Sequence, residues 1–403
     1  MQKRILLVTQ YFDPEQFRVN DICEEWVRRG YHVTVLTGKP NYPQGKYYSG
    51  YGFLKKGREI LRGATVIRLP MIPRGKNSVM LALNYLSFFI SGFFWKLFTK
   101  EQADAVFVYQ MSPITQALPG VWFAKKRKIP CYLYVMDLWP ESFSVMTGIH
   151  SQAILRPLER IVRAIYRRCN KIFLSSQGFA DSVVKHGAGR EQLVYWPQYA
   201  EEFYRPVSAE DADAPEMICD GRFNVLFAGN IGQAQGLGVL PRTAELLRQK
   251  ECPVRFCLVG DGSYRQELQK QVQECGLEEF FQFIGRQPAE RVPGFMAKCD
   301  ASLVSLSKSD IFALTLPAKV QSSMACGKPI VVCADGEAQR TVREAEAGVC
   351  ADAEDAEGLA EQLERLVQMQ PELLAQMGKN SRKYFEQHFD KSKLMNEMDN
   401  YLN

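Results

Sequence analysis

A run of small polar residues ends in a tight turn between residues 316 and 332, where the sequence reads LPAKVQSSMACGKPIVV. The pattern predicts a helix that carries Lys319, Gln321 and Ser322, followed after a Gly-Lys-Pro turn by an apolar strand. A flexible point charge beside short hydrogen-bonding groups suits phosphate oxygens. From the residues alone, Lys319 is either a ligand for such an anion or an ordinary solvated lysine.

Glycine-containing turns follow three predicted strands in the second half of the chain. They read AGNIGQAQG at 228–236, VGDGSYR at 259–265 and IGR at 284–286. Glycine lets backbone amides approach an anion closely, and a helix behind the turn adds its positive end. The turns indicate a phosphate-bearing ligand, although glycine after a strand is more often plain turn geometry. None matches a Walker loop or G-x-G-x-x-G, which disfavours an NAD enzyme.

Two carboxylates, Asp137 and Glu141, follow a predicted strand in VMDLWPES. Ligand sites of α/β proteins open at the carboxyl ends of their strands, where a carboxylate could orient or deprotonate a hydroxyl. The competing interpretation makes Asp137 the N-cap of the next helix, ahead of Pro140. Both interpretations of Asp137 stay open at this point.

Metal binding is not indicated by the residue types that usually hold metals. The four histidines lie far apart, and the eleven cysteines include no C-x-x-C pair. The Asp-Ala-Asp at 211–213 falls in an acidic stretch, so we expect a solvated loop there. The sequence predicts neither a metal nor another cofactor.

Short apolar strands alternate with helical patterns along the chain, which predicts an α/β protein with parallel sheets. An acidic, aperiodic stretch at 205–221 separates two such series. We predict a first domain at 1–204, a second at 222–378, and a C-terminal helix at 379–403 that returns to the first. Two doubly wound domains would enclose a cleft at the carboxyl ends of their strands.

Basic residues are concentrated in the first half of the chain. Residues 1–200 contain 28 Lys and Arg against 13 Asp and Glu, and the remainder contains 22 against 32. The first half is expected to face something anionic, such as lipid headgroups, phosphates or nucleic acid, unless it is merely a basic solvated surface. The N-terminus enters a short strand without the long apolar region of a secretory signal, so we expect a cytoplasmic protein.

Residues 79–95, VMLALNYLSFFISGFFW, are almost wholly apolar and have basic flanks. Their length just suffices for a membrane span. A span is disfavoured because the segment lies between two strands of one predicted sheet. Asn84, Ser87 and Ser91 form a narrow polar stripe at helical spacing, which leaves a buried core helix and a helix at the membrane interface as alternatives.

In chain order, several segments resemble bacterial sugar-nucleotide-dependent glycosyltransferases of family 4, in particular the L-fucosamine-transferase-like branch that builds O-antigen and capsule units. The segments are YFDPEQFRVNDICEEWVRRGYHVTVLTGKPNYPQGKYYSGYG, MDLWPES, FAGNIGQAQGL, VGDGSYRQEL and LPAKVQSSMACGKPIVV. The resemblance implies a GT-B fold with two Rossmann-like domains. The first would bind the acceptor and the second would bind most of the nucleotide-sugar donor, without a metal.

The resemblance also implies roles for particular residues. Asp137 and Glu141 are the expected catalytic residues, and Arg18, Asn41 and Tyr42 are expected on the acceptor side. The expected donor-binding residues are Gly229, Asn230, Gly232, Gly260, Gly262, Arg286, Lys319, Gln321 and Ser322.

The chain departs from the wider family where that family carries two glutamates and a donor-side Arg and Lys. Leu314 and Ser322 stand at the glutamate positions, and Asn230 and Gln235 stand for the basic pair. At these positions no carboxylate is therefore available to accept two hydrogen bonds from the ribose hydroxyls. Gln321, Ser322 or Ser323 is expected to supply neutral hydrogen bonds in its place.

The function expected from these features is transfer of a sugar, an N-acetylated deoxyhexosamine, from a UDP-sugar to a polyprenyl-diphosphate-linked sugar. The protein would be cytoplasmic and bound peripherally to the inner face of the membrane through residues 79–95, with no nucleic-acid partner. The alternatives are a sugar-nucleotide 2-epimerase of the same fold and a non-catalytic nucleotide-sugar-binding protein.

Overall fold

A computed structural model describes residues 3–149 and 151–403, and all of these except Met146 with their side chains. The chain divides into two compact units. The first comprises Met1–Ser175, Phe179–Trp196 and Asp399–Asn403, and the second comprises Ser176–Gly178 and Pro197–Met398. Residues 197–204, which the sequence placed in the first domain, therefore cluster with the second unit.

Within the described residues, the first unit contains an eight-stranded sheet with helices on its faces. The strands are β1 (Arg4–Val8), β2 (His32–Thr37), β3 (Arg58–Leu61), β4 (Ala64–Arg68), β5 (Ala105–Gln110), β6 (Cys131–Val135), β7 (Lys171–Leu174) and β8 (Leu193–Tyr195). The helices are α1 (Arg18–Arg28), α2 (Ser78–Phe98), α3 (Leu118–Arg127), α4 (Glu141–Thr147), α5 (Gln152–Tyr166) and α6 (Ala180–Lys185).

The strand order in this sheet is β3-β4-β2-β1-β5-β6-β7-β8, and only β3 runs antiparallel to its neighbour. The order reverses between β1 and β5, so ligands are expected at the carboxyl ends of these strands. Buried aromatic rings fill the core: Trp26 packs on Phe107 with 5.0 Å between ring centroids, and Tyr134 packs on Trp196 at 4.8 Å.

The second unit contains a six-stranded sheet in its described residues, all of it parallel. Its strands are β9 (Phe223–Ala228), β10 (Val254–Val259), β11 (Phe281–Gly285), β12 (Ala301–Ser305), β13 (Ile330–Cys333) and β14 (Gly348–Ala351). The order β11-β10-β9-β12-β13-β14 is that of a Rossmann fold. The prediction of two doubly wound α/β domains is confirmed.

Helices complete the second unit and reach the end of the chain. They are α7 (Val239–Gln249), α8 (Arg265–Glu274), α9 (Val292–Lys298), α10 (Asp310–Ala313), α11 (Ala318–Ala325), α12 (Glu337–Glu344), α13 (Ala356–Val367), α14 (Pro371–His388) and α15 (Lys391–Leu402). The single C-terminal helix expected at 379–403 is divided, because Asp390 caps α15 by accepting a bond from the Lys393 amide at 2.9 Å.

The last residues of α15 belong to the first unit. Asp399 accepts a hydrogen bond from Arg29 at 2.6 Å, and the Tyr401 carbonyl accepts one from the Tyr132 hydroxyl at 2.7 Å. The Tyr401 ring packs against Phe173 with 5.1 Å between centroids. These contacts fix the C-terminus of the chain to the first sheet.

The polar stripe of α2 faces inward. Asn84 is fully buried, and its Oδ1 accepts a bond from Gln10 Nε2 at 2.8 Å. Ser87 accepts one from the Ile72 amide at 2.9 Å, and Ser91 donates to a backbone carbonyl at 2.6 Å. The helix is thus attached to the unit by hydrogen bonds from its few polar residues.

The apolar side of α2 consequently faces outward. Only Asn84, Phe88 and Gly92 are buried among the residues of this helix, all of which are described. Its exposed large apolar residues are Val79, Leu83, Leu86, Ile90, Phe93, Phe94, Leu97 and Phe98. The helix is long and apolar enough to cross a membrane, yet only 17% of its most apolar window is buried. The core-helix interpretation is therefore wrong.

Candidate active site

The glycine turns after β9 and β10 pack backbone against backbone. The Ile231 amide donates to the Asp261 carbonyl at 2.9 Å. A Cβ on Gly260 would lie 1.8 Å from the Gly229 carbonyl oxygen, and one on Gly262 would lie 2.3 Å from that of Ile231. This close approach alone explains glycine at both positions, and their contact with a donor stays a prediction.

Lys319 lies in the first turn of α11, beside the β9 turn. Its ammonium donates to Gln235 Oε1 and sits 4.7 Å from the centre of the Phe227 ring. Glycine at 229 leaves room for this side chain, since a Cβ there would meet Lys319 Cε at 2.9 Å. Burial lowers the pKa of Lys319 to about 8. In the described chain no carboxylate pairs with this cation, so a bound anion would relieve its desolvation.

The other predicted donor residues differ in what they offer a ligand. Asn230 and Arg286 are exposed in the loops after β9 and β11, and Gly232 is buried. Gln321 is fully buried. When its side-chain amide is oriented so that both polar atoms are satisfied, the nitrogen donates to the Pro317 carbonyl at 2.9 Å. The Ser322 hydroxyl also donates to a carbonyl of its own helix, at 3.2 Å. These last two groups are thus engaged within α11.

A pocket of about 470 Å³ opens beside the same turn and includes charged groups that the sequence analysis missed. Its lining includes Gln233, Arg242, Tyr264, Ser307, Glu354 and Glu357. The Ser307 hydroxyl donates to the Gln233 carbonyl at 2.6 Å. The two glutamates follow β14, a strand that the sequence did not predict. They place carboxylates near the β9 turn, although the family's usual glutamate positions hold none.

Asp137 lies just beyond the end of β6 and is held by Ser112. Its Oδ2 accepts bonds from the Ser112 amide at 2.8 Å and hydroxyl at 2.9 Å. Burial raises the pKa of Asp137, although the two bonds from Ser112 oppose that rise. The residue before α4 is Pro140, with no side-chain cap. The helix-cap interpretation of Asp137 is therefore wrong.

Glu141 joins α4 to α6. Its Oε1 accepts a bond from the Ser182 hydroxyl at 2.7 Å and lies 3.0 Å from His186 Nε2. Burial raises the pKa of Glu141, but these two hydrogen bonds outweigh it, so the pKa ends below its usual value. Its buried Oε2 makes no hydrogen bond within the described residues. Glu141 is held as a structural link that retains one unused oxygen.

Glu15, which the sequence analysis did not single out, connects the loop after β1 with the loop after β2 that carries Asn41 and Tyr42. Its Oε1 accepts bonds from the amides of Asn41 and Tyr42, both at 2.7 Å, and its Oε2 accepts one from the Phe12 amide at 3.2 Å. Asn41 is fully buried, and its Oδ1 accepts a bond from the Arg74 amide at 2.9 Å. Asn41 therefore orders the loop and leaves Tyr42 and Arg74 at its surface.

Two arginines stand near this end of the first sheet. Arg18 is the first residue of α1, close enough to Tyr134 to oppose the rise that burial gives the pKa of that phenol. The Arg74 guanidinium lies 5.0 Å from the centre of the Tyr42 ring. Within the described residues Arg74 forms no ion pair with a carboxylate. Its position was not foreseen, because the sequence marked it only as a basic flank of the apolar segment.

Glu15 makes the stability of the protein depend on pH. Burial raises its pKa to about 7, against the effect of its backbone hydrogen bonds, from an ordinary value of 4.5. Between these values the folded state holds a proton that the unfolded state has lost, so stability falls as pH rises through this window. In urea unfolding, we expect wild type to lose about 2 kcal/mol more than Glu15→Gln from pH 5 to 7. Glu290→Gln, at an exposed position, should keep the wild-type dependence of stability on pH. If Glu15→Gln kept that dependence as well, its assignment to Glu15 would be wrong.

Among residues 3–149 and 151–403, no group of three or more potential metal-ligating side chains is found. The eleven cysteines are all free.

Two family models match the chain in adjacent segments. The Glycosyl transferase 4-like domain matches residues 16–198, and Glycosyl transferases group 1 matches residues 209–384. This chain is a group 1 glycosyltransferase with the GT-B fold. The matches decide between the alternatives left open by the sequence in favour of a glycosyltransferase.

The chain is similar to bacterial proteins named as glycosyltransferases, one of them for colanic acid biosynthesis. WcaI of Escherichia coli K12, named for colanic acid biosynthesis, is 25% identical over 390 residues, or 93% of each chain. The probable glycosyltransferase WbjE of Pseudomonas aeruginosa is 28% identical over 206 residues, 49% of this chain and 50% of its own. The L-fucosamine-transferase-like branch stays a prediction.

Solved structures share the fold at low sequence identity. Sucrose-phosphate synthase from Thermosynechococcus elongatus superposes with a TM-score of 0.76 at 18% identity, covering 99% of this chain and 98% of its own. Anabaena HepE, solved with UDP, gives a TM-score of 0.70 at 16% identity, covering 100% and 99%. At these identities the likeness establishes the fold alone.

Proposed function

We propose that this glycosyltransferase transfers an N-acetylated deoxyhexosamine from a UDP-sugar to a polyprenyl-diphosphate-linked sugar, as a step in cell-surface polysaccharide synthesis. The observation that carries the donor half is the half-buried ammonium of Lys319 beside the β9 turn, which bonds to Gln235 and pairs with no carboxylate of the described chain. A nucleoside diphosphate would supply the missing negative charge. The relatives named for colanic acid and amylovoran biosynthesis support the product class.

UDP is the nucleotide favoured by the structural relatives. Anabaena HepE was solved with UDP and with UDP-glucose. In this chain the diphosphate would lie between Lys319 and the exposed turn at Gly229 and Asn230, with Arg286 near the leaving group. Fixed cations aimed at the leaving diphosphate stabilise the charge that develops as the glycosidic bond breaks.

On the acceptor side, we propose that Asp137 orients or deprotonates the attacking hydroxyl, with Glu141 beside it. Arg18, Asn41 and Tyr42 would shape the loops around the acceptor. The raised pKa of Asp137 makes it a better base than an ordinary carboxylate.

The outward apolar face of α2 supports a peripheral site on the inner face of the cytoplasmic membrane. Basic residues stand at both ends of the helix: Arg74 and Lys76 precede it, and Lys126 donates to the Lys96 and Leu97 carbonyls at 3.0 Å. An apolar helix face bordered by cations suits an anionic bilayer surface. At the membrane surface, the enzyme would have direct access to a lipid-linked acceptor.

Loss of apolar surface from α2 should weaken membrane binding. Leu83 and Ile90 are 39% and 43% exposed and lie two turns apart on the outward face. We expect the double variant Leu83→Ser, Ile90→Ser to have a vesicle partition coefficient roughly 10- to 150-fold lower, measured by flotation. The reason is that two half-exposed apolar side chains would no longer be buried in lipid.

A matched control carries the same two changes on the second unit. Ile218 and Leu373 are 46% and 54% exposed, and Ile218→Ser with Leu373→Ser should float like wild type. Equal flotation by both double variants would show that α2 does not enter the bilayer.

The proposed function is tested by sugar transfer. Purified protein, a labelled UDP-sugar and vesicles that contain a polyprenyl-diphosphate-linked sugar are incubated together. The expected result is label in the organic phase with release of UDP, only when the acceptor is present. Acceptor-independent interconversion of the UDP-sugar, or its binding without turnover, would overturn the proposal.

A further inference from the structure

A large apolar pocket lies on the first unit between α2 and α5. Its volume is about 750 Å³, within the usual range of small-molecule sites. Leu81, Ala82 and Phe89 line it from α2, and Ile154, Leu158 and Ile161 line it from α5. The pocket therefore adjoins the helix whose other apolar residues face outward.

The pocket has a polar end near Asp137. Trp139 lines it and donates from Nε1 to the same Ser112 hydroxyl that binds Asp137, at 3.0 Å. Tyr85 also lines it, and burial raises the pKa of Tyr85, with Arg74 opposing that rise and Asp137 adding to it. Tyr85 is thus close to both a cation and a carboxylate.

The charges at this end are complementary to an anionic head group. Arg74 carries a guanidinium that no carboxylate of the described chain neutralises, and a guanidinium can bind phosphate oxygens in a bidentate manner. An amphiphile with an apolar chain and a phosphorylated head would satisfy both parts of the site.

We infer that this pocket binds the first isoprene units of a prenyl diphosphate, with Arg74 on the diphosphate. The inference rests on the proposed function, because it identifies where the lipid part of that acceptor is held. The sugar beyond the diphosphate would then reach Asp137, and the remaining chain would pass from the pocket along α2 into the bilayer. A prenyl chain is assigned to the pocket because the proposed acceptor carries one.

The test uses calorimetry on the full chain with soluble probes. Farnesyl diphosphate should bind at least about 30-fold more tightly than inorganic diphosphate, because only the former buries an apolar chain. Ala82→Trp and Ile154→Trp place an indole in the pocket from exposed positions. Each should weaken farnesyl diphosphate about tenfold or more and leave inorganic diphosphate unchanged. Arg74→Gln should weaken both probes.

Controls separate this inference from its alternatives. Ala289→Trp, an exposed change on the second unit, should leave farnesyl diphosphate binding unchanged. Retained UDP binding shows that each variant is folded. Equal affinity for farnesyl and inorganic diphosphate, or farnesyl binding that neither tryptophan weakens, would overturn the inference.

Further titrations distinguish a prenyl lipid from a glycerolipid in the pocket. They also distinguish failure of this inference from failure of the proposed function. If lysophosphatidic acid binds as tightly as farnesyl diphosphate, the pocket accepts glycerolipids and the prenyl assignment is wrong. If UDP binds normally while farnesyl diphosphate does not, the inference fails and the donor half of the proposed function stands. If UDP does not bind the wild type, the proposed function fails on its own.

Discussion

Replacing Asp137 with asparagine is expected to lower kcat by about 100- to 10,000-fold, the usual contribution of a positioned acid or base. Asparagine keeps an oxygen that can accept the bonds from Ser112 but cannot take a proton from an acceptor hydroxyl. Folding should be unimpaired, since burial already disfavours the charged carboxylate. Steady-state kinetics with a UDP-sugar and a lipid-linked acceptor measure the effect, and calorimetry should give an unchanged Kd for UDP.

Ser112→Ala distinguishes chemistry from local packing. It removes the hydroxyl shared by Asp137 and Trp139 and keeps the carboxylate, so it should reduce kcat far less than Asp137→Asn. In wild type, activity should decline as pH falls through the raised pKa of Asp137, because the protonated acid is no base. Equal losses in the two variants would contradict a catalytic role for Asp137.

Lys319→Met is expected to weaken UDP binding and to stabilise the free protein. Loss of a hydrogen bond to a charged group corresponds to about 1.5 to 3 kcal/mol, or roughly 10- to 150-fold in Kd. Methionine fits beside the Phe227 ring. Calorimetry with UDP and urea unfolding measure the two effects.

The sign of the stability change follows from the lowered pKa of Lys319. Its folded value is about 8, against 10.5 for an ordinary lysine. The unfolded state binds the proton more tightly between these values, so the penalty grows as pH falls from 10.5 and is complete below 8. At pH 7 Lys319→Met should therefore raise the free energy of unfolding by up to about 3 kcal/mol.

Lys383→Met is the matched control for that substitution. Lys383 is exposed on α14, and its replacement should change neither UDP affinity nor stability. A Lys319→Met protein that binds UDP like wild type would place the diphosphate elsewhere.

The alternation of apolar strands and helices was sufficient to predict two parallel sheets, because strands buried on both faces read as unbroken apolar runs. Three short strands escaped notice. β3 reads REIL, β8 reads LVY and β14 reads GVCA, and none of these runs is both long and apolar enough to stand out. Missing β14 also hid Glu354 and Glu357, whose place near the β9 turn depends on that strand.

The orientation of α2 could not be predicted from its composition. A narrow polar stripe usually marks the exposed side of a helix, but here Asn84 and Ser87 find hydrogen-bond partners inside the unit. Those partners, Gln10 and Ile72, come from distant parts of the chain. Only the tertiary structure shows that the larger apolar face is left outside.

Some residues of the candidate site could be predicted from the local sequence, and others depend on contacts between distant parts of the chain. Lys319 was singled out because it lies in a polar run that ends in a Gly-Lys-Pro turn, and Asp137 because it follows a predicted strand. Glu15 and Arg74 were missed, since their importance comes from loops brought together across the first sheet. Gln321 was placed on the correct helix, yet its burial within α11 depends on helix packing that spacing does not reveal.

The most direct test of the account is a calorimetric titration of the protein with UDP at pH 8, in two buffers of different ionisation enthalpy. At this pH, near the pKa of Lys319, about half of the ammonium is deprotonated, and a bound diphosphate should restore the proton. We predict uptake of about half a proton per UDP in wild type and none in Lys319→Met. UDP binding without proton uptake, or uptake that persists in Lys319→Met, would contradict the placement of the donor diphosphate at Lys319.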